Sequence, residues 1–502
     1  MTSSCGLIGL YFEGQSTTIG HMTSSLPAGS RISGPRLAAF LGSWRRPDGR
    51  GAAVDLAAAL RVLFLDGRLP VGTRLPAERE LAEALGVSRT MITSAMDALR
   101  EAGMVASRRG AGSWITVPGK EPDRTGWSLH PPSEIIDMAH ASPFAPPELA
   151  AAVDRARLRL PELLNSHGYQ SFGLPEPREL IARRYTERGL PTTPDQVMIT
   201  NGSQHALTLA LRLHVGPGQR VLVDNPTYPT AVDGIRAAHA LPVAVALDPD
   251  GWDLDSVEAT LRQAAPRLAY FVVDFQNPTG LRMSAPDRER LAHALRRSRT
   301  LTLVDETLVE LDLEGDPLDG PPPLSAFAED WVIAAGSASK AYWGGLRMGW
   351  LRAPAELVHR LGESRPSMDL GSPVFEQLVL AELLAEGDDV LAPRRREFAR
   401  RRELLVDLLA QHCPEWTVKR PSGGLNLWCD LGKPLSTQLA MAVGRHGVQA
   451  VPGSRFAAHG GLEQWMRLPY TLPDDQLTEA VLRIGAAWRG LADPAPPGHG
   501  IA

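Results

Sequence analysis

In GSASKAYWGGLRMGW (residues 336–350) a single lysine, Lys340, follows two serines, Ser337 and Ser339, and an arginine, Arg347, comes seven residues after it. Three other polar groups share its setting, each closing a run of apolar residues. Gly202-Ser203-Gln204 follows VMIT and opens the helical stretch HALTLALRL, which leaves helix-start amides available to an anion. Asn277-Pro278-Thr279-Gly280 follows LAYFVVD, and Asp305 ends LTLVD. Singly these are ordinary, since an isolated NPTG is usually a turn and a lone aspartate at a strand end is often a helix cap. Four in order, each at a strand end, mark a ligand site, because open parallel sheets bind ligands outside the carboxyl ends of their strands.

A second constellation lies far upstream. Ser88, Arg89 and Thr90 start a helix, where amides and hydroxyls can hold a phosphate and Arg89 can reach a base edge. Arg79 lies on the preceding helical stretch, and Arg108 and Arg109 sit at the tip of a short hairpin, placed to approach a phosphate or the minor groove.

The positioning elements follow from periodicity. Leu56, Leu60, Leu63 and Phe64 form one helical face, ended by Gly67. A second helix spans Glu78–Leu85, Gly86-Val87 turns the chain, and Ser88 caps a third helix that buries Ile92, Ala95, Met96 and Leu99. Two short strands in MVASRRGAGSWITV complete a winged helix-turn-helix. Beyond it, VMIT (197–200), RVLVD (220–224), LAYFVVD (268–274), LTLVDE (301–306) and WVIAAGS (331–337) alternate with helical stretches, the pattern of a mostly parallel, doubly wound sheet. The expected organisation is a disordered leader at 1–33, a DNA-binding domain at 34–117, a Pro-rich linker at 118–134, a large domain at 135–490 and a disordered tail at 491–502. The basic run APRRREFARRREL (392–404) reads as a solvated helix face or dimer contact, because its arginines spread around the helix.

LPVGTRLPAERELAEALGVSRTMITSAMDALREAGMVASRRGAGSW (69–114) resembles the DNA-binding domain of the GntR regulators. The strand-end signatures of 135–490 resemble fold-type I enzymes that use pyridoxal 5′-phosphate (PLP), the aminotransferase group, with a smaller C-terminal α+β subdomain. Together they are similar to the MocR subfamily of GntR regulators. That resemblance implies a PLP-sensing transcription factor with an operator in double-stranded DNA and an amine or amino-acid effector, and a head-to-tail homodimer. It implies that Lys340 forms a Schiff base with PLP, that Asp305 faces the pyridine nitrogen and that Asn277 bonds the ring oxygen. Ser337, Ser339, Arg347 and Gly202, Ser203 and Gln204 would hold the phosphate. Tyr228 in DNPTYPT would stack on the ring, Arg467 in MRLPYT would grip an effector carboxylate, and Tyr169 in GYQSFG would reach the neighbouring subunit's phosphate. The group usually carries a tyrosine three residues after the pyridine aspartate. Here that position is Leu308, which leaves residual transamination at most. The rival readings are a working aminotransferase with an accessory DNA-binding domain, and a regulator that has lost PLP.

Bulk properties limit the alternatives. With 502 residues the chain is too long for one ordinary domain, and at a net charge of −5 any DNA contact comes from a local basic surface. Three scattered cysteines give no disulfide framework and suggest a reducing cytoplasm. The 13 histidines show no metal-ligand spacing, and no apolar run reaches the roughly 18 residues that span a bilayer.

Overall fold

A computed structural model describes residues 31–42, 44–45, 51–65, 69, 72–108, 112–116 and 135–492. The expected linker 118–134, Gly67, Arg109, leader residues 1–30 and tail residues 493–502 lie outside them. The described residues form two compact units, one before the undescribed stretch 117–134 and one after it.

In the first unit the expected stripes are the core. Leu56, Leu60, Leu63 and Phe64 are buried on helix Ala52–Leu65, and Ile92, Ala95, Met96 and Leu99 on helix Arg89–Glu101. Helix Glu78–Leu85 closes on Gly86 in the left-handed region, φ 63°, and the Ser88 hydroxyl accepts a hydrogen bond from the Met91 amide at 3.3 Å. The hairpin pairs Val105 with Ile115 and Arg108 with Gly112. The expected leader is corrected at its end. Ile32 is buried with its amide on the Arg74 carbonyl at 3.1 Å, and a further helix, Gly34–Leu41, buries Leu37 and Leu41.

Among the described residues the second unit holds two sheets. The eight strands of the larger run in the order Val197–Thr200, Gly349–Arg352, Val332–Ser337, Leu301–Asp305, Leu268–Phe271, Arg220–Asn225, Leu241–Asp248 and Gly251–Trp252. The five central strands from Val332–Ser337 to Leu241–Asp248 pair in parallel, while Gly349–Arg352 and Gly251–Trp252 run antiparallel to their neighbours. Alternation along the strands feeds two cores. Val221, Val223, Leu303 and Ile333 pack with Ala206, Leu207 and Ala210 of helix Ser203–His214, whereas Leu222, Phe271 and Val304 pack with Leu291 and Leu295 of helix Ala285–Ser298.

The smaller sheet orders Thr417–Lys419, Asn426–Asp430, Trp465–Pro469, Val448–Pro452 and Ile136–Met138. Its last strand comes from the start of the unit, so the small sheet closes only when both ends of this segment meet. The 25-residue helix Asp388–His412 carries Phe398, Leu405 and Leu408 into its core.

Three sequence expectations need correction here. The strand at 268 ends at Phe271, not at 274, and Asp274 leaves the sheet to form a fully buried pair with Arg288 at 2.6 Å. The 392–404 run is a solvated face only in part: Arg396 and Arg400 are exposed, but Arg394, Arg395 and Arg402 are buried, donating to the Phe144 carbonyl at 3.0 Å, to Asp388 at 3.0 Å and to Glu403 at 2.9 Å. Periodicity counts arginines as solvent-facing, but stem packing and carbonyl acceptors let a guanidinium go inside. The expected tail starts late, since helix Asp474–Ala492 continues through residues 491 and 492.

One contact governs how the sheet edge meets the strand-end loops. A Cβ on Gly349 would come within 2.6 Å of the Gly202 Cα, backbone against backbone. Gly349→Ala is therefore expected to cost about 1–3 kcal/mol, the usual penalty for overpacking. Chemical denaturation checks this; an unchanged midpoint would show that the loop yields freely.

Candidate functional site

The carboxyl ends of the parallel strands converge on a cavity of about 240 Å³. Asp305 enters from the end of its strand, Ser337, Ser339 and Lys340 from the turn after Val332–Ser337, and Gly202, Ser203 and Gln204 from the start of helix Ser203–His214. Asn277, Tyr228 and Arg347 line it from loops, and Arg467 from the small sheet. Of the residues selected for this site, Tyr169 alone is not in the wall; it is 62% exposed.

Hydrogen bonds fix these groups. The Asp305 carboxylate accepts from the Tyr270 hydroxyl at 2.9 Å and from the Thr307 amide at 2.9 Å. The Thr307 hydroxyl donates to Ser203 Oγ at 3.1 Å, tying the aspartate's segment to the anion cup. The Ser337 hydroxyl accepts the Ser339 amide at 3.2 Å. Lys340 Nζ donates to the Ala141 carbonyl at 2.6 Å and to Ser142 Oγ at 3.2 Å. Arg467 donates to the Ala139 carbonyl and to Asn277 Oδ1 at 3.4 Å, with its guanidinium 4.9 Å over the Phe456 ring. Gly202 has φ 83°, and a Cβ there would come 3.3 Å from the Arg347 guanidinium, so glycine keeps the cup open.

Burial sets the electrostatics. It pushes the Lys340 amine down to about 8, helped by the positive charges of Arg467 and Arg347 and opposed by Asp305. It raises the Asp305 carboxyl, against hydrogen bonds from Thr307 and Tyr270 and the Lys340 charge. It lowers Arg467 to about 10, with Tyr228 and Asp137 opposing.

The sequence alone did not single out Tyr270, Thr307, His140 or Asn426. Thr307 had a signal, the Asp-x-Thr spacing in which an aspartate caps its own backbone two residues on. Tyr270 had none, because it lies inside a strand and reaches Asp305 across the sheet.

In the first unit, Arg79, Ser88, Arg89, Thr90 and Arg108 are all exposed. Behind them, Glu78 ties down helix Arg89–Glu101 by accepting from Thr93 at 2.8 Å and Arg100 at 2.8 Å.

The donor set of the cavity fits PLP. Hydroxyls, helix-start amides and Arg347 offer a glycine-opened cup suited to a dianionic phosphate, and the same wall carries a buried carboxylate, an amide and one amine. Fold and cavity together define a fold-type I PLP domain on a chain that also carries a helix-turn-helix. Residues 144–484 match the aminotransferase class I and II family and residues 52–115 the gntR family of bacterial regulatory proteins. The probable rhizopine catabolism regulatory protein MocR of Rhizobium meliloti is 29% identical over 87% of this chain and 94% of its own. The 2-aminoadipate transaminase of Thermus thermophilus is 32% identical over 62% of this chain and 79% of its own. The crystal structure of LysN, an alpha-aminoadipate aminotransferase from Thermus thermophilus complexed with N-(5′-phosphopyridoxyl)-L-leucine, superposes with a TM-score of 0.65 at 30% identity, covering 72% of this chain and 93% of that one. The chain belongs to the aminotransferase class I and II family and, with its GntR domain, to the MocR-type regulators.

In protein stripped of PLP, the Lys340 amine is expected to react with an acylating reagent along a curve centred near pH 8. Arg467→Met should move that curve upward, because it removes a neighbouring positive charge. The depressed value means that the unfolded chain binds more protons between about 8 and 10.5, so the Lys340 contribution to stability grows as pH rises through that window. Site-resolved labelling by mass spectrometry checks the curve; a midpoint near 10.5 would contradict the assigned environment.

Proposed function

We propose that the PLP cavity is the sensor of a transcriptional regulator and that its occupancy changes how the winged helix binds DNA. The observation that carries this is an intact set of cavity groups on the same chain as a GntR DNA-binding unit, with Leu308, buried in the cavity wall, in place of a hydroxyl donor. PLP, when bound, supplies an aldehyde that condenses with primary amines and a ring that withdraws electrons.

The chain's own groups do the rest. Ser203, Ser337, Ser339, Arg347 and the amides of Gly202–Gln204 bind the phosphate. Asp305, held by Tyr270 and Thr307, faces the ring nitrogen, Asn277 donates to the ring oxygen and Tyr228 covers the ring face. Lys340, whose amine burial brings down to about 8, is the attachment point. Arg467 takes the carboxylate of an amino-acid effector in two-point contact. On the DNA side, Arg89 reads a base edge, Ser88 and Thr90 hold a phosphate with the helix start, Arg79 adds charge, and Arg108 with Arg109 reaches the backbone at the wing. We place the working protein in the cytoplasm as a head-to-tail homodimer, with Tyr169 completing the partner's phosphate site. Its exposure in the single chain suits that role.

A second reading, a working aminotransferase, draws on the complete donor set and on relatives named as aminotransferases. Leu308 weighs against it. The ring oxygen lacks a second donor, so turnover stays at a residual level.

Purified protein should show a visible absorption band from bound PLP, and borohydride should fix PLP to Lys340 alone; labelling at another lysine would overturn the assignment. Arg89→Ala should weaken operator binding by about 1–3 kcal/mol with the band unchanged. Arg108→Ala should lower the salt dependence by about one counterion. Operator affinity unaffected by either substitution would remove the proposed DNA surface.

A further inference from the structure

Behind the PLP cavity lies a larger one, of about 430 Å³, between helix Pro175–Glu187, the 306–310 segment and the junction of helices Val374–Glu386 and Asp388–His412. Its size falls within the range of small-molecule sites, roughly 300–1,000 Å³. Thr307 and Ser337 belong to the walls of both cavities.

Its lining is chemically unfinished. Arg188 and Glu306, both buried, pair through Nη1 and Oε2 at 2.9 Å, but Arg188 Nη2 has no hydrogen-bond partner. Two further lining residues, Tyr185 and Trp350, are buried there too; the Tyr185 hydroxyl lies within reach of Trp350 and of Glu306, so these three can partner one another while Arg188 Nη2 is left over. Each such group costs about 1–3 kcal/mol if it stays unpaired, and native proteins satisfy nearly all of them. Arg188 Nη2 and Trp350 Nε1 can only donate, the Tyr185 hydroxyl can donate or accept, and Glu306 Oε1 accepts. That inventory suits a molecule with one anionic, acceptor-rich group beside one donor.

We propose that this cavity is a second small-molecule site, for a zwitterionic amino acid whose carboxylate is taken by Arg188, Trp350 and Tyr185 and whose ammonium is taken by Glu306. The site stands whatever occupies the first cavity. It is placed to act on it, because Glu306 adjoins Asp305 and the Thr307 hydroxyl holds Ser203. It also meets Gly387, at φ 52° between the two helices, the second of which runs into the small-sheet core. A ligand there would touch both the strand end that carries the ring-nitrogen carboxylate and the hinge of the connecting helix.

The test uses full-length holoprotein with PLP fixed by borohydride, so that the first cavity is filled and cannot exchange amines. Equilibrium dialysis against the common L-amino acids, one at a time, should find saturable binding tighter than about 1 mM for at least one. Ala385→Trp, a change at an exposed residue of the cavity mouth, should weaken it by tenfold or more. Tyr185→Phe with Trp350→Phe removes two of the proposed hydrogen bonds and should weaken it by tenfold or more, at about 0.5–1.5 kcal/mol each. No saturable binding, binding indifferent to these substitutions, or binding abolished by Arg467→Met alone would overturn the proposal.

Discussion

One amine near one carboxylate and two guanidinium groups, inside a half-closed cavity, is the arrangement on which the large unit depends. Burial, with Arg467 and Arg347, brings the Lys340 amine down to about 8, with Asp305 opposing. Were Asp305 absent, the two cations would drive the amine lower still; were Arg467 absent, it would lie higher, with burial still holding it down. Such a balance requires four chain segments to end at one place. The parallel strands deliver Asp305 and Lys340 at their carboxyl ends, Arg347 comes from the loop before an antiparallel strand, and Arg467 from the small sheet.

The cavity belongs to two layers of structure. The groups proposed to hold the phosphate and ring come from the large sheet and its loops, while Arg467 comes from the small sheet, where Trp428 stands opposite it in register. The segment Ala139–Ser142 follows small-sheet strand Ile136–Met138 and accepts hydrogen bonds from both Lys340 and Arg467. Occupancy of the cavity must therefore compete with contacts that join the two sheets. That gives an effector binding in one place a physical route to the whole unit, through different contacts in two states rather than through distance alone.

Much of this was legible in the sequence because it is local. VMIT, RVLVD and LTLVD are short β-rich runs with a polar residue at the end, and Ser88 with Ile92, Ala95, Met96 and Leu99 writes a capped helix on its face. What was not legible is non-local or contrary to composition. Strand Gly349–Arg352 is four residues long, and Leu241–Asp248 carries a proline and no polar alternation, so neither stands out by periodicity. Strand Ile136–Met138 exists only because Val448–Pro452, from the far end of the unit, arrives to pair with it. Helix Gly34–Leu41 was readable, with proline in its first turn and leucines four apart, but sat against a Ser- and Gly-rich leader. The buried arginines of 392–404 reverse the usual meaning of a charge run, and Tyr270 finds Asp305 only across the sheet.

The central claim is a coupling between two sites on one chain, and thermodynamic linkage makes it measurable from either end. PLP affinity, read from the visible band, should be determined with and without operator DNA, and operator affinity with and without PLP, in the same buffer. The account predicts that both ratios depart from one, by about 5–150-fold, and equal each other. Ratios of one in both directions would show that the cavity and the winged helix ignore each other, and the sensor reading would fall.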